Sequence, residues 1–283
     1  MQRRDFLASV AGVAAAASAA AQQSVQRKGR IKQSVTRGVF QRGMALEDMC
    51  REAARLGCKG FDLIGPKDWP TLKKYGLVPT MMPVQGGSTI AVGLNRKENH
   101  AEMLKNLHAA LDEAAANGVP NIICFSGERR GMNDQEGMDN CVIALNQLKS
   151  HAEDKGVNVN MELLNSKVNH KDYMCDHAAW GFEMCKRVGS PRIKVLYDIY
   201  HMQIMDGDIV RNIREGIQYI GHFHTGGNPG RHDIDETQEL NYRFVAQAIA
   251  ETGYSGYVGH EYSPTNQAAW LKALETAMNI FDV

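Results

Sequence analysis

The sequence has no excess charge of either sign, because 32 Lys and Arg residues are balanced by 32 Asp and Glu residues. A neutral chain offers neither the basic face that binds nucleic acid nor a basic surface for an anionic membrane. It also has no Cys-x-x-Cys pair or other close cysteine spacing, which argues against a thiolate metal site. We expect the six cysteines to be buried free thiols, since a domain of this size needs no disulfides.

The one long apolar run lies at the N-terminus, which excludes a protein with several membrane spans. Arg3-Arg4 precedes an uncharged, Ala-rich stretch that ends in the A-x-A pattern Ala19-Ala20-Ala21. This arrangement resembles a twin-arginine (Tat) signal peptide, the type that exports folded proteins. We expect residues 1–21 to be cleaved and the protein to be periplasmic, without stable membrane insertion. A retained N-terminal anchor helix is the alternative.

The rest of the chain lacks a Pro- or Ser-rich linker and any internal repeat larger than one strand and one helix. It also lacks a Gly-rich phosphate loop after the first predicted strand, which disfavours a doubly wound sheet. From residue 30 onward, β-type runs alternate with helical runs eight times over about 250 residues, as in a TIM barrel. We therefore predict an α/β fold, a single (β/α)8 TIM barrel over residues 30–283, preceded by a linker at 22–29.

The predicted strands are Ile31–Thr36, Lys59–Ile64, Leu77–Met82, Val119–Phe125, Val157–Leu163, Arg192–Ile199, Tyr219–His224 and Tyr257–Glu261. The predicted helices are Leu46–Leu56, Asp68–Tyr75, Lys97–Asn117, Gln135–Lys155, Ala178–Val188, Asp208–Gly216, Asn241–Thr252 and Gln267–Phe281. Gly118 and Gly156 follow the third and fourth helices, where a glycine C-cap is favoured.

Each of the last four predicted strands ends in a side chain that can bind a metal ion. These side chains are Glu162, Asp198, His224 and Glu261. Active sites of TIM barrels form at this end of the strands, and strand alternation directs all four inward at the rim. Converging carboxylates raise one another's pKa unless a cation is present, so we expect one divalent ion. Three carboxylates and one imidazole favour Mn²⁺, Mg²⁺ or Co²⁺, with Zn²⁺ as a further candidate.

Five stretches carry a family resemblance: Met161-Glu162-Leu163-Leu164-Asn165, Tyr197-Asp198-Ile199-Tyr200-His201, Gly221-His222-Phe223-His224, Asn228-Pro229-Gly230-Arg231-His232 and Gly259-His260-Glu261-Tyr262. They resemble the xylose-isomerase-like TIM barrel superfamily, and within it the hydroxypyruvate isomerase group and its sugar isomerase and epimerase relatives. The similarity covers essentially the whole chain after the signal and is strongest from residue 157 onward.

The resemblance implies a metal-dependent isomerase or epimerase that acts on a small sugar or keto acid. The four strand-end residues match the family's metal ligands, and Glu162 and Glu261 also match its catalytic acid/base pair. One glutamate would take a proton from a carbon next to a carbonyl, and the other would return it by way of an enediolate. His201 and Arg231 match positions that bind substrate oxygens.

Two positions leave the subgroup open. Hydroxypyruvate isomerases usually carry Gln where His224 stands, whereas ketose epimerases carry His. The epimerases usually place a second acid six residues after the first ligand, where this chain has Val168.

Self-association into a homo-oligomer is also left open.

Three other functions compete with the isomerase or epimerase. A lyase that eliminates the aglycone from 3-keto-glycosides would begin with the same proton abstraction. An endonuclease for abasic DNA shares the fold, but needs further His and Asp ligands and a basic face. A non-catalytic sugar-binding module would have no use for the acid/base pair.

Overall fold

This computed structural model describes residues 24–83, 86 and 88–283 of the chain. The predicted signal peptide, residues 1–21, lies outside the described residues. Before the first strand, the chain lies against the end of the first barrel helix. The Val25 N–H donates to the Arg55 carbonyl at 2.8 Å, and the Arg27 guanidinium donates to the Leu56 carbonyl at 3.0 Å.

Eight parallel strands form one sheet, and each lies within the corresponding predicted run apart from a one-residue extension of the seventh. The strands are Lys32–Val35 (β1), Gly60–Asp62 (β2), Val78–Met81 (β3), Asn121–Cys124 (β4), Asn158–Glu162 (β5), Ile193–Asp198 (β6), Ile220–Thr225 (β7) and Tyr257–His260 (β8). Nearly all of their residues are buried, as expected for strands covered on both faces.

The sheet closes into a barrel. Its order is β3-β2-β1-β8-β7-β6-β5-β4, so consecutive strands pair and β1 pairs with β8. A parallel bridge between Met82 and Ile122 joins β3 to β4 across the remaining gap, and the Met82 N–H donates to the Asn121 carbonyl at 2.9 Å. The predicted TIM barrel is confirmed.

Helices surround the strands. Within the described residues they are Leu46–Arg55 (α1), Trp69–Lys74 (α2), His100–Asn117 (α3), Asp134–Lys155 (α4), Ala178–Val188 (α5), Ile199–Met205 (α6), Ile209–Gly216 (α7), Tyr242–Glu251 (α8) and Trp270–Ile280 (α9). Gly118 and Gly156 end α3 and α4 at φ of 72° and 67°, left-handed values that favour glycine. None of the helices in the described part of the chain is both long and apolar enough to span a bilayer.

Helix α6 was not predicted, because its start coincides with a strand end. Asp198 is the last residue of β6 and also the N-cap of α6, where its side chain accepts from the His201 N–H at 3.1 Å. A carboxylate N-cap satisfies a backbone donor that the first helical turn leaves free. The same side chain therefore ends the strand, starts the helix and fixes where His201 lies.

Side chains fill the barrel interior in three layers. Asn121, Asn158 and Asn160 form a hydrogen-bonded amide layer near the N-terminal ends of the strands. Above it lies a small apolar layer of Met81, Ile123 and Leu196. The charged predicted ligands lie above that, at the C-terminal end. The apolar layer thus separates a neutral polar layer from an ionic one.

The six cysteines are all buried and free, as predicted. Burial raises the pKa of Cys50 to about 11 and that of Cys185 to about 12. These thiols are therefore protonated and unreactive at neutral pH.

Candidate metal centre and active site

The four predicted ligands come together at the C-terminal mouth of the barrel. Glu162 and Asp198 are the last residues of β5 and β6, His224 is the penultimate residue of β7, and Glu261 follows β8. One ligand atom from each lies within 4.8 Å of the ligand atoms of the other three. The sheet register explains this, because Asp198 pairs directly with His224 across β6 and β7.

His224 is at the centre of the cluster. Its Nδ1 lies 2.8 Å from Glu261 Oε2, 3.8 Å from Glu162 Oε1 and 4.0 Å from Asp198 Oδ2. Within the described residues, this buried nitrogen has no hydrogen bond of acceptable geometry. A buried imidazole nitrogen that faces three carboxylates is a donor set that fits a divalent cation.

His224 lies near the C-terminal end of its strand, but its side chain is fully buried. Its Nε2 lies 3.1 Å from Asp62 Oδ2, a contact that helps hold the ring inside the barrel. His224→Ala would therefore leave the buried Asp62 carboxylate short of a partner, and it would lower stability as well as metal affinity.

Arg231 places a positive charge against two of the carboxylates of the cluster. Its Nη2 donates to Asp198 Oδ2 and to Glu261 Oε2, both at 2.6 Å, and its guanidinium lies 5.0 Å from the centre of the Tyr200 ring. Its Nη1 is buried and has no hydrogen-bond partner among the described residues. Arg231 is thus at the predicted site and has a donor left for a ligand oxygen.

His201 lies beside the cluster and is 3% exposed. Its Nδ1 accepts from the Asn165 backbone N–H at 3.2 Å and from the Asn165 side-chain amide at 2.6 Å. With Nδ1 occupied as an acceptor, the ring proton is on Nε2, which is available as a donor. Burial lowers the pKa of His201 to about 3, so the ring is neutral at physiological pH.

Burial and the neighbouring charges move the pKa values of the carboxylates apart. Burial raises the pKa of Glu162 to about 7. Burial also raises that of Glu261, but the charges of His224 and Arg231 outweigh it and lower its pKa to about 2. For Asp198, the charge and hydrogen bond of Arg231 outweigh burial and hold its pKa below its usual range.

The sequence analysis missed Asp62, His222 and Asn165. Asp62 ends β2 at the same mouth and contacts both His222 and His224. The sequence carries a signal for it, since Asp62 is the one acid in the predicted strand Lys59–Ile64. Val168, by contrast, is 63% exposed and contributes no group to the cluster.

A cavity of about 550 Å³ opens beside the cluster and is large enough for a small sugar or keto acid. Glu261 and Arg231 form part of its wall, together with Asp62 and Tyr262. Of the groups expected to react and to bind substrate, Glu261 and Arg231 therefore face this open space.

Known proteins match this chain in sequence. The family model described as xylose isomerase-like TIM barrel matches residues 50–280. A 2-oxo-tetronate isomerase from Pectobacterium atrosepticum is 27% identical over 231 residues, covering 77% of this chain and 86% of that protein. A "Putative hydroxypyruvate isomerase" from Homo sapiens is 32% identical over 117 residues, covering 40% of this chain and 42% of the human protein. That second match spans less than half of the human protein, and both relatives carry isomerase names.

Solved structures share the fold. An AP endonuclease, family 2, from Brucella melitensis has a TM-score of 0.74 at 24% identity, covering 86% of this chain and 97% of that one. A 3-keto-D-glucoside 4-epimerase from E. coli has a TM-score of 0.73 at 19% identity, covering 88% and 99%. At these identities the structural likeness extends to the barrel alone.

Proposed function

The chain belongs to the xylose isomerase-like TIM barrel family, and we propose that it is a divalent-metal-dependent isomerase or epimerase of a small sugar or keto acid. The observation that carries the proposal is the convergence of the buried Nδ1 of His224 with carboxylate oxygens of Glu162, Asp198 and Glu261, all within 4.8 Å of one another. The isomerase names of the sequence relatives support the same reaction class. Mn²⁺, Mg²⁺ and Co²⁺ suit this donor set best, with Zn²⁺ next.

The metal ion would be held by Glu162, Asp198, His224 and Glu261, and it would supply electrophilic stabilisation of negative charge on the substrate. Glu162 and Glu261 hold and move the proton. One carboxylate removes it from the carbon next to the carbonyl, which gives an enediolate, and the other returns a proton to the neighbouring carbon or to the opposite face. One carboxylate oxygen of Glu162 lies within 4.8 Å of one of Glu261. This short distance supports the action of both glutamates on one substrate.

Arg231 and His201 bind and orient the substrate in this proposal. The free Nη1 of Arg231 and the Nε2–H of His201 are donors for carbonyl, hydroxyl or carboxylate oxygens. Neither group needs to change its protonation state during the reaction, so both suit positioning rather than proton transfer.

The test is a substrate screen with the metal-reconstituted protein in D₂O. Hydroxypyruvate, 2-oxo-tetronate, keto sugars and 3-keto-glycosides are supplied with Mn²⁺, Mg²⁺, Co²⁺ or Zn²⁺, and the products are identified by NMR and mass spectrometry. We expect a rearranged product with solvent deuterium at the reprotonated carbon. Release of an aglycone would instead establish the 3-keto-glycoside lyase, and binding without turnover would contradict both.

We also propose that residues 1–21 direct Tat-dependent export, with cleavage near Gln22 and a mature chain formed by a linker at 22–29 and the barrel at 30–283. N-terminal sequencing of protein from a periplasmic fraction tests this. Replacement of Arg3-Arg4 by Lys-Lys should retain the full-length precursor in the cytoplasm. Mature protein in the periplasm of that variant would contradict the proposal.

A further inference from the structure

Asp62 lies in the interior of the barrel, in the wall of the cavity beside the cluster, and is not one of the four candidate ligands. It ends β2, is fully buried, and receives hydrogen bonds on both carboxylate oxygens. The Thr80 hydroxyl donates to Oδ1, while His222 Nε2 and His224 Nε2 lie 2.7 and 3.1 Å from Oδ2. A buried carboxylate with this many donors is held in one place.

We propose that Asp62 is a positioning residue that selects the nitrogen with which His224 meets the metal ion. The contact of Nε2 with a carboxylate requires a proton on Nε2. The lone pair of a neutral His224 is then on Nδ1, the atom that faces Glu162, Asp198 and Glu261. This inference rests on the metal site proposed above and adds to it a residue on the opposite side of the barrel.

The backbone around Asp62 is built to permit the contact. Gly259 lies on β8 next to Asp62 and His224, and a Cβ at this position would overlap Asp62 Oδ2 and lie 2.9 Å from His224 Cδ2. No side chain larger than hydrogen leaves the Asp62–His224 pair in place. The glycine is thus required by the close approach of two side chains, not by its backbone conformation.

His222 completes the arrangement from the other side of Asp62. Its Nε2 donates to the same Oδ2, and the two imidazole rings lie with centroids 5.2 Å apart, nearly perpendicular. The His222 Nδ1 is buried and has no partner among the described residues, so the ring contributes its one hydrogen bond to Asp62. His222 therefore fixes Asp62, and Asp62 fixes His224.

The first experiment measures Mn²⁺ affinity by electron paramagnetic resonance in wild type and Asp62→Asn. Loss of a group that orients a metal-bound histidine weakens binding about 10–100-fold, and we expect a loss in this range. Asp68→Asn is the matched control, because Asp68 follows the same strand but pairs with Arg37 at 2.8 Å outside the barrel interior. It should bind Mn²⁺ as wild type does. An equal loss in both variants would overturn the proposal.

A second variant separates the hydrogen bond from the charge. Gly259→Ala retains the Asp62 carboxylate but displaces it from His224, so Mn²⁺ affinity should fall as in Asp62→Asn. Should Asp62→Asn fail to fold, this variant still tests the proposal. Wild-type affinity in folded Gly259→Ala would show that only the charge of Asp62 matters and would overturn the assignment.

The third readout is the protonation pattern of His224 in the Zn²⁺-loaded protein, from ¹H–¹⁵N spectra of the imidazoles. Wild type should show a proton on Nε2 of His224 and a metal-bound Nδ1, and Asp62→Asn should shift or lose the Nε2–H signal. An unchanged signal together with unchanged affinity would overturn this inference alone. Failure of wild type to bind any metal at this cluster would overturn the proposed function as well.

Discussion

The two ends of the barrel interior are built from the same strands but carry opposite chemistry. At the N-terminal end, amide groups of Asn121, Asn158 and Asn160 bond to one another, and a cavity of about 640 Å³ has no carboxylate, histidine or cysteine in its lining. At the C-terminal end, the cavity is smaller, about 550 Å³, but charged groups converge beside it. Cavity size therefore does not identify the site, whereas convergence of acid, base and imidazole does.

The difference follows from where each group lies along its strand. Asn158 and Glu162 both belong to β5 and share one face by strand alternation, with Asn160 between them. Amides near the start of the strand satisfy one another without charge, which stabilises closure of the barrel. Carboxylates at the end of the strand repel one another and need Arg231 or a metal ion. Along β5, the residues near the start therefore stabilise the barrel, whereas the residue at the end belongs to the candidate active site.

The largest expected effect comes from removing the acid/base groups at the C-terminal end. Glu162→Gln and Glu261→Gln should each lower kcat/KM by about 10²–10⁴-fold, because an amide cannot accept the proton. The measurement is turnover together with solvent deuterium exchange, on the substrate that the screen identifies. One variant that exchanges deuterium without turnover would identify the base.

The matched control for this pair is Glu236→Gln, which changes an exposed acid in the loop that contains Arg231. It should retain wild-type kinetics. If Glu162→Gln or Glu261→Gln also retained them, the two-glutamate proposal would be wrong.

The sequence was sufficient to predict the barrel and the clustering of the four candidate ligands, because both depend on local patterns. Strand alternation and the position of a residue at a strand end determine which side chains reach the mouth, and this placed Glu162, Asp198 and Glu261 correctly. Contacts across the barrel could not be predicted in this way. Asp62 and His224 are 162 residues apart, and no local pattern encodes which nitrogen of a ring faces which carboxylate.

Arg231→Lys tests how much the C-terminal end depends on geometry as well as charge. Lysine retains the positive charge beside Asp198 and Glu261 but loses the planar donor set and the free Nη1. We expect kcat/KM to fall roughly 10–100-fold, the loss of about one charged hydrogen bond, mainly through KM. Arg37→Lys, in the wall of the same cavity, is the control and should show little change. Wild-type kinetics in Arg231→Lys would show that the residue only neutralises charge.

At the N-terminal end, Asn121→Leu should affect stability and leave the chemistry alone. The Asn121 amide donates to the Thr80 carbonyl at 2.9 Å, and its oxygen accepts from Asn158 at 3.0 Å and Asn160 at 3.1 Å. The substitution leaves buried polar groups unpaired and should lower the free energy of unfolding by about 1–3 kcal/mol. Denaturant unfolding measures this.

Asn146→Leu, at an exposed position on α4, is the control for the Asn121 variant and should change stability little. Mn²⁺ affinity should be the same in Asn121→Leu as in wild type, because the apolar layer separates the two ends. A large drop in affinity would show that the amide layer and the metal centre are coupled.

The smallest expected effect concerns Lys194, a half-buried lysine in the wall of the N-terminal cavity. Burial lowers its pKa below the ordinary 10.5, and its ammonium group donates to the Gln218 carbonyl without a carboxylate partner in the described chain. Between the two pKa values the unfolded chain binds more protons than the folded one, so the stability contribution of this group rises with pH. Lys194→Met should therefore remove a small rise in unfolding free energy as pH approaches 10.5, measured against Lys59→Met at an exposed site. An identical pH dependence of stability in wild type and Lys194→Met would contradict the lowered pKa. Any change in turnover would contradict the assignment of chemistry to the C-terminal end of the barrel alone.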